Sequence, residues 1–72
     1  MQNVYIEPMP KGQWGPIDGY TLEFHDGTKI TPQVYRSERL AVDEIKLHRY
    51  SPLVATVCVT DKTVDDHWQP AN

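Results

Sequence analysis

Cysteine is almost missing from this sequence, with Cys58 standing alone. A lone thiol cannot close a disulfide within the chain, and small extracellular domains lean on several, so the expected setting is a reducing, cytoplasmic one with a free thiol. Long apolar runs are missing too. The longest, around Leu53 to Val59, is far short of the roughly 20 residues that a membrane-spanning helix needs, so no membrane partner is expected. Met1 to Met9 contain Glu7 and Pro8 and lack the basic start and apolar stretch of a secretory signal. The four glycines are scattered, and neither standard phosphate-cradling spacing occurs. Positive charge is also short. A net charge of -3 makes nucleic acid an unlikely partner on average, because phosphate binding draws on clustered Lys and Arg.

With 39% hydrophobic and 24% charged residues, the chain is too apolar for a disordered tail and too polar for lipid. Its 72 residues leave room for one core, so a single small domain is expected over 1–72, ordered from about 3 to 68.

Val4, Tyr5, Ile6 and Glu7 alternate and predict a short strand stopped by Pro8. Pro8, Pro10, Gly12, Gly15 and Pro16 then describe a loop to Asp18 that carries Lys11 and Trp14. Tyr20, Leu22 and Phe24 share one face of a second strand. Asp26-Gly27 predicts a tight type I′ reversal, with the chain returning through Thr28, Lys29 and Ile30 and, after Pro32, through Val34 and Tyr35. Ser37 is a helix N-cap, with Glu38 near the positive end of the dipole. The helix should run from Glu38 to Arg49, with Ala41, Val42 and Ile45 facing the sheet and Leu40 and Leu47 on a flank. Pro52 disfavours its continuation. Leu53 to Thr60 is rich in β-branched residues and predicts the strongest, central strand, with Leu53, Ala55, Val57 and Val59 inward. Asp61-Lys62 is a turn, and the chain beyond Trp68 should fray.

The predicted class is α+β, in the order β-β-β-α-β: a mostly antiparallel sheet of three or four strands with one helix packed on one face. Its core would combine Val4, Ile6, Tyr20, Leu22, Phe24, Ile30, Ala41 and Ile45 with the four inward residues of the last strand. Such a core is small enough to need Trp14, Trp68 or a second subunit as cover.

Val-Tyr-Ile-Glu-Pro at 4–8, Gly12, Tyr-Thr-Leu-Glu at 20–23, Ser-Pro-Leu-Val-Ala-Thr-Val at 51–57, Asp-Lys at 61–62 and Asp-His-Trp at 66–68 together resemble a family of small uncharacterised bacterial proteins. The resemblance spans nearly the whole chain. It implies a compact sheet-plus-helix domain of unknown function and gives no residue a role.

Chemistry has few footholds. His25, His48, His67 and Cys58 form no C-x-x-C or H-x-x-x-H pair, so no metal or other cofactor is expected. Asp65, Asp66 and His67 are better explained as a solvated acidic run. Cys58 alternates with Val57 and Val59 and reads as a packed residue rather than an activated nucleophile. No catalytic residue is assigned, and a metal-dependent enzyme is the weakest of the functional classes. Binding has more support. Arg36, Arg39, Lys46 and Arg49 give the helix a basic bias, and Trp14, His67 and Trp68 supply aromatic contacts. Glu38, Asp43 and Glu44 interleave with those cations, so intrahelical pairing also accounts for them. The expectation is a non-enzymatic protein-interaction module whose partner is an unknown protein. A homodimer through an open sheet edge or uncovered face is one form of it. The alternative is a nucleic-acid-binding accessory protein using the helix cations.

Overall fold

A computed structural model of the chain describes residues 2–71. Four strands and one helix follow in the order β1 (Asn3–Met9), β2 (Gly19–Glu23), α1 (Glu38–Leu47), β3 (Ser51–Ala55) and β4 (Trp68–Pro70), with a 3-10 turn at Asp65–His67 before the last strand. The sheet order is β2-β1-β3-β4. β1 runs antiparallel to β2 and parallel to β3, and β4 is antiparallel to β3. The chain is thus an α+β domain with a mostly antiparallel sheet and one helix laid on one face.

Register decides which face is which. Ile6 lies opposite both Leu22 and Val54, and Val4 opposite Pro52, so these side chains share the face on which α1 packs. Val4, Ile6, Leu22, Ala41 and Ile45 are fully buried there, with Tyr20, Phe24, Ile30, Tyr35, Val42, Tyr50 and Val54 around them. The opposite face begins with Tyr5 against Glu23 and Glu7 against Thr21.

Pro8 and Pro52, expected to lie outside strands, lie inside them. Tyr20 uses its N–H and C=O on Tyr35, at 2.7 Å each. The Pro8–Tyr20 pair is therefore a non-hydrogen-bonded one, and the donor that Pro8 lacks is not needed. Pro52 pairs with Val4, and its carbonyl accepts from the Ala71 N–H at 3.1 Å. That placement starts β3 at Ser51, ends it at Ala55 and turns Val54, not Leu53 or Ala55, toward the core. Val57 is left 38% exposed, and the inward set expected for a long strand to Thr60 is corrected accordingly.

The reversal after β2 also differs from a two-residue type I′ turn. Of Asp26 and Gly27, only Gly27 takes a positive φ, 90°, and its N–H donates to the Phe24 carbonyl at 2.9 Å. This is a four-residue turn closed by a left-handed glycine. The return then makes isolated bridges at Glu23–Lys29 and Tyr20–Tyr35 rather than a strand, because Pro32 interrupts it. The extra strand comes instead from Trp68–Pro70, which carries order past Trp68 into residues expected to fray.

Ser37 caps α1 as predicted, its hydroxyl accepting from the Leu40 N–H at 3.2 Å. The helix ends two residues early because Arg49 turns into the left-handed region, φ 63°, where the Tyr50 N–H reaches back to the Ile45 carbonyl at 3.2 Å. Glycine is the residue that occupies this position without steric cost. Arg49→Gly should therefore raise the stability of the fold by about 0.5–1 kcal/mol, read as a higher urea midpoint at unchanged slope.

Candidate functional site

The face of the sheet turned away from α1 buries charge. Glu7 and Glu23 project from neighbouring strands and are 3% and 0% exposed. Two lysines from loops come down on them. Lys62 donates to Glu7 Oε2 and, at 3.1 Å, to Glu23 Oε1, and Lys11 donates to the same Glu23 oxygen at 2.7 Å. The two remaining carboxylate oxygens accept from hydroxyls: Glu7 Oε1 from Thr60 and Glu23 Oε2 from Thr21, the latter at 2.7 Å. Every oxygen of the pair is thus satisfied, as buried charge requires.

Aromatic rings complete this face. Trp68 meets Tyr5 edge-on with centroids 4.8 Å apart, and His25 meets Tyr5 from another direction at 5.8 Å. The Lys62 ammonium lies 5.8 Å from the centre of the Tyr5 ring. The indole Nε1–H of Trp68 donates to the Asp61 carbonyl at 3.0 Å, and the Asp61 N–H donates to His67 Nδ1, also at 3.0 Å. The Asp61-Lys62 turn is itself set by Asp61 Oδ1, which accepts from the backbone N–H and hydroxyl of Thr63. An open cleft of about 480 Å³ lies over the cluster, edged by His25, Asp26 and Asp61.

The electrostatics fix these charges. Burial pushes the Glu23 carboxyl up, but hydrogen bonds from Lys11, Thr21 and Lys62 outweigh it and hold the group below its ordinary range. Burial would lower the Lys62 ammonium, yet its bonds to Glu7 and Glu23 hold it above its ordinary value. A lysine raised in this way is a poor nucleophile and a lowered carboxyl a poor acid. The arrangement holds charge rather than moving protons.

A second, apolar crevice of about 170 Å³ lies past the C-terminal ends of β1 and β3. It is lined by Pro8, Ile17, Tyr20, Ala55, Val57 and Cys58, with Glu38 and Thr56 as its polar members. Burial, then Glu38 and Cys58, raises the Tyr20 hydroxyl.

The structure disperses the residues singled out from the sequence. Trp14 is 82% exposed in the β1–β2 loop, so it is no lid over the core. Trp68 is buried, but as a cover over Tyr5 on the charged face rather than over the core, and His67 beside it is half-buried. Arg39 and Lys46 are exposed on α1, with Arg36 exposed just before it and Arg49 just after. Among the described residues none of the four has a carboxylate within 4.0 Å, and the helix pair that does form is Glu44–His48 at 2.9 Å. Among the described residues no three His, Cys, Asp or Glu side chains converge as metal ligands, and no helix is long and apolar enough to cross a membrane. The Glu7, Glu23, Lys11 and Lys62 cluster was not anticipated. Its signal is a glutamate at the same phase of two alternating strands, which by itself suggests only solvent.

No protein-family model, curated protein or solved structure matches the chain, so the family resemblance rests on its quoted motifs alone.

The cluster makes stability depend on pH at both ends. The Glu23 contribution is complete above its unfolded value near 4.5 and is lost as pH falls through the lower folded value. The Lys62 contribution is complete below 10.5 and is lost as pH rises through the higher folded value. The melting temperature should be level between these limits as far as these two groups set it, and should fall beyond both. Lys62→Met should cost about 3–5 kcal/mol at neutral pH by leaving two buried carboxylates without their shared cation. One of those carboxyls would then rise above its unfolded value. The variant should therefore gain stability as pH drops from about 7 to about 5, where the wild type does not. Urea titrations at the two pH values separate these outcomes.

Proposed function

We propose that this chain is a non-enzymatic protein-interaction module, working in a reducing compartment such as the bacterial cytoplasm. The observation that carries the reading is the contrast between its two kinds of side chain. The glutamates and lysines gathered on the sheet neutralise one another beneath the cleft, and its other ionisable groups, His25, Asp26 and Asp61, stand at its open rim. The large apolar groups near the crevice have no such partners: Trp14 is 82% exposed, Ile17 43% and Val57 38%. Exposed aromatics of this kind are the usual anchors of protein interfaces, and a half-buried free Cys58 suits a reducing setting.

Sheet-edge pairing has little support as the binding mode. β2 is bridged by the returning chain at Lys29 and Tyr35, and β4 is three residues long and ends on Pro70, both devices that blunt an edge. The loop and crevice are the better surface.

One observation favours a second reading, a nucleic-acid-binding accessory protein. Among the described residues Arg36, Arg39, Lys46 and Arg49 form no ion pair with a carboxylate within 4.0 Å. Two measurements decide between the readings. Affinity capture with immobilised wild-type chain should retain a protein that Trp14→Ala loses by about thirtyfold in affinity, and an unchanged capture profile would overturn the module. Fluorescence anisotropy with labelled duplex DNA at low salt should show no binding, whereas binding that falls steeply with salt would establish the alternative.

A further inference from the structure

We infer that the surface around Trp14 is a reciprocal self-association site, in which Trp14 of each copy enters the apolar crevice of the other. The inference rests on the interaction-module reading and names its partner as a second copy of this chain.

The crevice selects its occupant by size and chemistry. Its 170 Å³ is below the roughly 300–1,000 Å³ of small-molecule sites, while an apolar cavity of about 150 Å³ is enough for a benzene-sized ring. The six-membered ring of an indole fits that description, with the pyrrole ring left at the open mouth. Pro8, Ile17, Ala55 and Val57 supply apolar walls, and the Glu38 carboxylate at the crevice is an acceptor for the indole N–H, which is a donor only.

The loop holds Trp14 out. The Asp18 N–H donates to the Met9 carbonyl at 2.9 Å, closing the base of a loop that runs from Pro10 to Ile17. Lys11 Nζ pins the same loop to Glu23 at 2.7 Å. With its base closed and Lys11 tied, the loop leaves Trp14 exposed instead of filling the crevice of its own chain, and part of the ordering that binding requires is already made.

The symmetry argument singles out a second copy. A two-fold interface requires that knob and hole belong to one patch, so that each contact occurs twice. Ile17 is a wall of the crevice and lies three positions after Trp14, a separation of at most about 11 Å even fully extended. The chain therefore carries an aromatic knob beside a hole of matching volume. Two knobs, two Ile17 side chains and two Val57 side chains would be covered at once, which answers the exposure of all three.

The test uses the full chain. Sedimentation velocity from about 10 μM to about 1 mM should show a monomer–dimer equilibrium, with Trp14 fluorescence moving to the blue as the dimer fills. Trp14→Ala removes the knob and Val57→Asp spoils the hole. Each should weaken self-association by about thirtyfold or more, with unchanged far-UV circular dichroism because both positions are exposed. Mixing the two variants should form a heterodimer, since the intact knob of Val57→Asp meets the intact hole of Trp14→Ala. A monomer at every concentration, a dimer indifferent to Trp14→Ala, or no heterodimer on mixing would overturn the inference. So would a blue shift independent of concentration, which would put Trp14 in its own crevice. A strictly monomeric chain that still captures another protein through Trp14 would remove the second copy and leave the interaction module standing.

Discussion

The structure depends on the ammonium of Lys62 lying between the carboxylates of Glu7 and Glu23. A single helix covers one face of the sheet, and in a chain of this size no second layer is available for the other. Charge covers it instead. Two glutamates on adjacent strands would repel each other at close range and could not remain ionised in a buried setting alone. Lys62 supplies the missing charge from far along the chain, Lys11 adds a second cation on the Glu23 oxygen that Lys62 shares, and Thr60 and Thr21 take up the oxygens that it does not fill. In satisfying the pair, Lys62 draws the chain after β3 down onto the sheet. That brings the Asp61 carbonyl to the indole of Trp68 and the Trp68 ring to Tyr5. The fourth strand is thus a consequence of the ion cluster as much as of its own sequence.

The parts of the fold that could be read from sequence are those whose signal is local. Tyr20, Leu22 and Phe24 alternate with polar neighbours, and Ser37 precedes an uninterrupted amphipathic stretch. Both elements formed where the pattern put them. The reading failed where a tertiary partner overruled a local rule. Pro8 and Pro52 look like terminators until the hydrogen-bond phase of their neighbours is known, because only then is it clear that neither position needs a donor. The apolar run from Leu53 to Val59 fits either strand phase, and the parallel pairing with β1 chose the one that buries Val54. Trp68–Pro70 has too few residues for periodicity to register. The ion cluster was hidden for a different reason: Glu7, Glu23, Lys11 and Lys62 each look like solvated surface residues, and only the register of three segments brings them together.

The same register ties the two candidate surfaces to one strand. β1 presents Glu7 to the charged face, and at its end Pro8 to the apolar crevice. The loop that follows is fixed on both sides, by Lys11 to the charged face and through Ile17 to the crevice wall. Trp14, at the middle of that loop, stands exposed between the two attachments. The cluster and the exposed tryptophan are therefore parts of one arrangement, in which buried charge secures the base of a loop whose tip meets solvent.

A buried ion cluster is seldom the most stable way to fill a face, since apolar residues of similar volume often do as well or better. Its value in this fold lies in what it forbids. Side chains alternate across a strand, so a slip of one residue between β1 and β2 would carry Glu7 or Glu23 into the layer formed by Ile6, Leu22, Ala41 and Ile45. An unpaired carboxylate there would cost several kcal/mol, a large fraction of the stability of any small domain. Interchanging the faces is penalised in the same way, because Lys11 and Lys62 reach down from one side only. With β1 to β3 only five to seven residues long and a returning segment that forms no continuous ladder, hydrogen bonding alone specifies register weakly. The two glutamates, alternating with valine, isoleucine and leucine, reduce the ambiguity by making every shift of an odd number of residues bury a charge without its cation.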